Sequence, residues 1–151
     1  GVSEEIYEKY RKRQDVRAGD ILIVRDGTYL VGTCCMLTEA DTRILFQSHL
    51  YKLRVLKPDD LSPYFLLAAL NSPIVKRQVW AKRFTQDIID TLGSRVMELV
   101  LPIPRDTTLR DQIIAETRAI VEGRAALRQK ARTVASAIMG QVRLEENETS
   151  D

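Results

Sequence analysis

From Thr108 onward the chain contains no proline, and glycine interrupts only at Gly123 and Gly140, so nothing over roughly 35 residues forces the backbone out of a helix. Ile113, Ile120, Leu127 and Val134 recur every seven residues, and Thr117, Ala131 and Ile138 fill the second seam position, with Arg124 intruding. A seven-residue apolar repeat is the pattern that packs one helix against another. At 1.5 Å per residue such a helix reaches about 50 Å, more than a domain of about 100 residues covers by itself. A partner helix is therefore expected on the seam, with a second copy of the chain as one source, and the alternative is a helix lying on its own domain. Thr108 and Asp111 form a variant capping box at its start. The boundaries expected are a globular body over 1–105, the long coiled-coil-like helix over 106–144 and a disordered acidic tail over 145–151.

That tail distorts the charge balance. The chain of 151 residues carries 23 Lys and Arg against 21 Asp and Glu, but the last seven residues hold four acids and no base. Setting them aside leaves 23 bases against 17 acids, or +6, a moderately basic body compatible with a polyanion and not demanding one. The chain opens Gly1-Val2-Ser3, with no apolar signal core and no apolar run near the ~20 residues that span a bilayer, so a soluble piece of a longer protein is expected, with no membrane partner. Cys34 and Cys35 are adjacent. Neighbours in a strand point to opposite faces, which makes an intrachain disulfide framework implausible and fits a reducing cytoplasm.

The first half is mainly β. Ile21 to Val24 is an uninterrupted apolar run bounded by Gly19-Asp20 and Asp26-Gly27, as in a strand buried on both faces. Asp26-Gly27 supplies the positive φ angles of a two-residue hairpin turn, which makes Tyr29 to Leu37 the return strand. Ile44 to Leu56 is a third extended element, joined by 39–43. Glu4 to Arg13 places Ile6 and Tyr10 at i and i+4, as in a short amphipathic lead-in. The character then changes. Ser62-Pro63 and Ser72-Pro73 each pair a helix cap with a first-turn proline, starting one buried helix through Leu70 and a second from Ile74 to about Lys82 with Ile74, Val75 and Val79 inward. Ile88, Ile89, Leu92 and Gly93 suggest a helical turn closed by glycine. Arg95 to Leu101 is a final strand, stopped by Pro102-Ile-Pro104. The fold class expected is α+β: a β-rich domain with short helices, followed by one long C-terminal helix.

Taken in order, "GDILIVRDG", the "YFLLAALNSPIVK" helix pair, the Thr-Leu-Gly turn before "VLPIP" and the long helix beginning "LRDQI" resemble the target recognition domain and spacer helix of specificity subunits in type I restriction-modification systems. They are equally similar to the C-terminal specificity region of adenine-specific DNA methyltransferases. The resemblance covers about residues 15 to 140. It departs in one respect: a specificity subunit holds two such halves, and one is present here. It implies a DNA-reading part that does no chemistry itself and positions a DNA methyltransferase domain or subunit, and with it a nuclease in some systems, on double-stranded DNA. No cofactor is then expected on this chain, and S-adenosylmethionine belongs to the methyltransferase.

The residues agree with that division of labour. Ser62-Pro-Tyr-Phe65 lacks the second proline and the leading amide or acid of the adenine methyltransferase motif, and is better understood as a helix start. No glycine-rich phosphate loop occurs. His49 is the single histidine and has no metal-ligand spacing with the cysteines. It is expected as a strand residue with a satisfied hydrogen bond, and Asp59-Asp60 as loop residues. DNA reading needs phosphate contacts for position and a few side chains at base edges. Four clusters could supply them: Arg25-Asp26-Thr28-Tyr29, Gln47-Ser48-His49, Lys76-Arg77-Gln78-Trp80-Lys82-Arg83, and Thr85-Gln86 with Arg95. Each alone is also an ordinary solvated loop or helix face, and only the combination favours DNA. The rival reading is a non-catalytic protein-protein assembly module that uses the long helix.

Overall fold

A computed structural model of the chain describes residues 1–27, 29–86 and 89–148, with side chains throughout except at 85, 86, 89 and 139–148. Thr28, the Gln86 side chain, Ile88 and residues 149–151 of the expected tail lie outside what is described. The helices are α1 (Glu4–Gln14), α2 (Pro63–Asn71), α3 (Pro73–Lys82) and α4 (Thr107–Glu148), and the strands are β1 (Ile21–Val24), β2 (Asp26–Gly27), β3 (Cys34–Met36), β4 (Leu50–Leu53), β5 (Phe84–Gln86) and β6 (Ile89–Thr91). The fold is α+β, with small antiparallel sheets and a long C-terminal helix.

The apolar run of β1 takes the central place in the first sheet, antiparallel to β3 on one side and β4 on the other. Ile21, Ile23 and Met36 pack there with Leu66, Leu67 and Leu70 of α2, Val75 and Val79 of α3, and Leu92. The two proline-started helices form as their caps require: Ser62 Oγ accepts from the Tyr64 amide at 3.3 Å, and Ser72 Oγ accepts from the Val75 amide at 3.4 Å while donating to the Ala69 carbonyl at 2.6 Å. Val75 and Val79, four residues apart, share the inward face. Ile74, expected inward, lies a step round the first turn and is exposed.

Four local expectations are corrected. Asp26-Gly27 does not close a two-residue hairpin. It stays extended as β2, because β6 offers it an edge (Asp26 opposite Thr91, Gly27 opposite Asp90) and Arg25 is held on both sides by Arg25 N–H to His49 O at 2.8 Å and Leu92 N–H to Arg25 O at 2.9 Å. The reversal comes later, where Thr33 N–H reaches Leu30 O and Gly32 N–H reaches Val24 O, both at 2.8 Å. Gly32 adopts φ 80°, and a Cβ there would stand 2.5 Å from Val79 Cγ1, so only glycine fits. Second, the extended element expected from Ile44 to Leu56 is a strand only over β4, since the Gln14 side-chain amide occupies both backbone groups of Phe46, at 2.7 and 3.0 Å. Third, residues 89–91 are a strand rather than part of a helical turn. Fourth, the strand expected from Arg95 to Leu101 is not formed: Gly93–Glu98 is a 3-10 turn, with Gly93 at φ 50° redirecting the chain after buried Leu92, and 99–101 pair with no strand among the described residues. Beyond it Gln78 Nε2 donates to Val100 O at 2.8 Å and Gln78 Oε1 accepts from Val100 N–H at 2.9 Å.

The lead-in helix α1 buries none of its residues and is held by its end. Arg54 bonds Asp15 Oδ2 at 2.6 Å and buried Asp20 at 2.7 and 2.8 Å, while Lys52 Nζ donates to the Asp15 carbonyl at 2.8 Å. At the other end of the chain, α4 is capped by Asp106, whose carboxylate accepts from the Thr108 and Leu109 amides at 2.8 and 3.3 Å, in place of the expected Thr108–Asp111 box. Its first half lies on α2. Thr117, Val121 and Ala125 form a half-buried row, Arg118 covers the Tyr64 ring at 4.9 Å, and Arg128 pairs with Asp41 at 2.9 Å. Ile113 of the heptad seam is half-buried against the body, whereas Ile120, Leu127, Val134 and Ile138 are exposed. The 42-residue helix, about 63 Å long, runs to Glu148, so residues 145–148 of the expected tail are helical.

Candidate nucleic-acid interface

With Val75 and Val79 turned to the core, the opposite arc of α3 is left to Arg77 and Trp80, both exposed. Trp80 shows 69 % of its surface. The Arg83 guanidinium carbon stands 3.3 Å from the Trp80 ring centroid, a stacked cation-π contact, while Arg83 Nη1 also pairs with Asp90 of β6 at 3.2 Å. Next to it Arg95 lies 4.9 Å from the Phe84 ring and donates to the Lys82 carbonyl at 3.1 Å. Lys82 Nζ pairs with Glu98 at 2.7 Å, and that bond holds the Glu98 carboxyl below its ordinary range. The result is a surface of aromatic rings each backed by a guanidinium, built from the end of α3, β5, β6 and the 3-10 turn.

The second sheet, ordered β2-β6-β5, joins this surface to the Arg25 and His49 clusters. His49 Nδ1 lies 2.7 Å from Asp26 Oδ1. Arg25 lies 5.9 Å from the Tyr51 ring, and its Nη1 donates weakly to Ser48 O at 3.4 Å. Tyr51 donates from its hydroxyl to the Gly93 carbonyl. Burial, with a smaller contribution from Asp26, raises the Tyr51 hydroxyl above its usual range against the pull of Arg25, so it stays a neutral donor. Among the comparisons with known proteins, no family model and no curated protein matches the chain.

The expected site residues therefore sort by place. Arg25, His49, Trp80, Lys82, Arg83 and Arg95 are linked through one network of contacts. Lys76 stands at its edge, donating to Gly32 O at 3.1 Å. Gln47 is exposed in the turn before β4, and His49 is in that turn rather than within a strand. Tyr29 is exposed beyond Arg25, which sits at the junction of the two sheets and not at a hairpin tip. Lys82 and Arg83 were expected within a cluster that is either a solvated helix face or a DNA-reading surface. Each is paired with an acid, because Glu98 and Asp90, 16 and seven residues away along the chain, are folded against them. Sequence reasoning missed Phe84, Tyr51, Asp90 and Glu98. The Arg-Phe pair at 83–84 was the available signal for the first, and the other three come from elements whose pairing no local pattern reveals. Among the described residues no group of three or more His, Cys, Asp or Glu is arranged for a metal, and no helix is long and apolar enough to cross a membrane.

Proposed function

We propose that this chain is the sequence-reading module of a DNA restriction-modification system, binding double-stranded DNA and positioning an adenine-specific DNA methyltransferase domain or subunit upon it in the cytoplasm. The observation that carries the reading is the surface formed by Trp80, Arg83, Phe84 and Arg95. Exposed aromatic faces paired with guanidiniums suit bases and phosphates together. Arg77 and Lys76 extend its positive edge along α3. The acids within it, Asp90 and Glu98, fix the guanidinium and ammonium groups in place, as base-edge readers require. The chain itself contributes binding and no chemistry. S-adenosylmethionine belongs to the partner, and no residue here is assigned to it.

The test is fluorescence anisotropy of the full chain on a duplex it has selected from a random pool, and on a scrambled duplex, at two salt concentrations. Binding should weaken steeply with salt. Lys76→Ala with Arg77→Ala should lower affinity equally on both duplexes and reduce the salt slope by about 1 for every phosphate that is no longer neutralised. Trp80→Ala should weaken binding to the selected duplex. Salt-independent binding, or none, refutes the reading. A second reading, an assembly module, draws on the exposed seam Ile120, Leu127, Val134 and Ile138, which would take a helix of the methyltransferase or of a second copy. The two are compatible.

A further inference from the structure

Tyr29 and Leu30 are adjacent exposed apolar side chains next to this surface, 90 % and 62 % exposed respectively. Water is a poor place for an adjacent aromatic and aliphatic pair, though single exposed apolar residues are common. What distinguishes this pair is its mounting. The chain leaves β1 at Val24 and returns at Thr33, with Val24 N–H to Thr33 O, Gly32 N–H to Val24 O and Thr33 N–H to Leu30 O, each at 2.8 Å. Gly32 is wedged against Val79 of α3 and its carbonyl takes the Lys76 ammonium. The base of the projection is thereby tied to the sheet and to α3. One cation, Lys76, stands at its foot, and a second, Arg25, precedes it in the chain with its side chain against Ser48 and Tyr51.

We propose that Tyr29 and Leu30 form an apolar wedge that enters a base-pair step of duplex DNA, unstacking it while Arg25 and Lys76 approach the phosphates on either side. This rests on the DNA-reading proposal above and adds to it a mode of reading. A wedge senses how readily a step unstacks, so it favours flexible pyrimidine-purine steps that no hydrogen bond identifies. Arg25, whose backbone is fixed between the two sheets, sets the depth of entry.

The experiment places 2-aminopurine at successive steps of a duplex selected by the full chain, and follows its fluorescence and the binding anisotropy together. The fluorescence should rise at one step on binding, and the rise should be lost with Tyr29→Ala plus Leu30→Ala, with roughly tenfold weaker affinity. Tyr29→Phe should retain both, since stacking and not the hydroxyl is used. Both side chains are exposed, so the fold is expected to persist. Should the double variant melt early, Tyr29→Ser alone reads the same quantity. Tight binding with no fluorescence rise at any step overturns the wedge and leaves DNA reading intact. Absence of binding to every duplex at low salt overturns both.

Discussion

Gly32 shows how one position can govern a site it does not touch. Its φ of 80° and the 2.5 Å between its would-be Cβ and Val79 Cγ1 exclude any side chain without a shift of α3 or of the loop. Gly32→Val should therefore destabilise the protein by about 2 to 4 kcal/mol, read as a lowered melting temperature by circular dichroism, and should weaken DNA binding through the displaced Tyr29 loop. An unchanged melting temperature would show that α3 yields freely. The sequence contains Gly32 plainly, but its reason lies in Val79, which is 47 positions away in the numbering of the chain. The same holds for Asp26 and His49. Asp26 was legible as a turn residue and His49 as a strand residue with a bonded ring, yet their 2.7 Å contact depends on β2 choosing β6 as its neighbour. Ile74, Val75 and Val79 were all apolar and all expected inward, and only the helix start at Pro73 separates the exposed Ile74 from the other two.

At the scale of elements, the proline-started helices and the apolar β1 were legible because their signals are local: a cap, a ring that fixes φ, a run of β-branched and aliphatic residues. The second sheet was not, since strands of two or three residues carry no periodicity and are decided by pairing. The long helix was legible in length and type but not in what it faces. Thr117, Val121 and Ala125 recur every four residues and lie on the body, so Thr117 of the second seam position is taken up there, while Ile120, Leu127 and Val134 run beside them and stay open. Two faces of one helix thus meet two different surroundings, the body and solvent. Replacing Ile120 and Leu127 with Lys should abolish self-association or methyltransferase capture, measured by sedimentation with and without that partner, and should leave the dichroism of the body unchanged. If assembly persists undiminished, the seam is merely a solvated face. Arg124 within that seam favours a partner carrying an acid at the facing position.

Across the whole molecule, the body before α4, in which helix outweighs strand, is closed at its start by a clamp of charge. Arg54 and Arg17 hold the Asp15 carboxyl at about 2 by hydrogen bonding, below its ordinary 3.8. Burial pushes Asp20 up, but the bonds from Arg54 and the Arg17 amide outweigh it and leave this carboxyl lowered as well. A carboxyl lowered in the folded state stabilises fully above its unfolded value and loses that contribution as pH falls through the folded one. Melting temperature should hold down to about pH 4 and fall steeply between there and pH 2. Arg54→Met should lower stability at pH 7 by about 1 to 3 kcal/mol, because buried Asp20 loses its guanidinium and keeps only the Arg17 amide and the more distant Lys52, and should flatten the acid fall. Parallel acid curves for the two proteins would place the sensitivity elsewhere. Gln78 bears on how such molecules meet one another. Its amide spends one donor and one acceptor on Val100, in a stretch where Met97, Val100 and Ile103 all face solvent. Were those backbone groups open, the stretch would be an adhesive edge, ready to add a strand from any neighbour. The side-chain amide imitates a missing strand at Val100, so the backbone there is closed to a strand from a neighbour while the apolar side chains around it stay open to solvent.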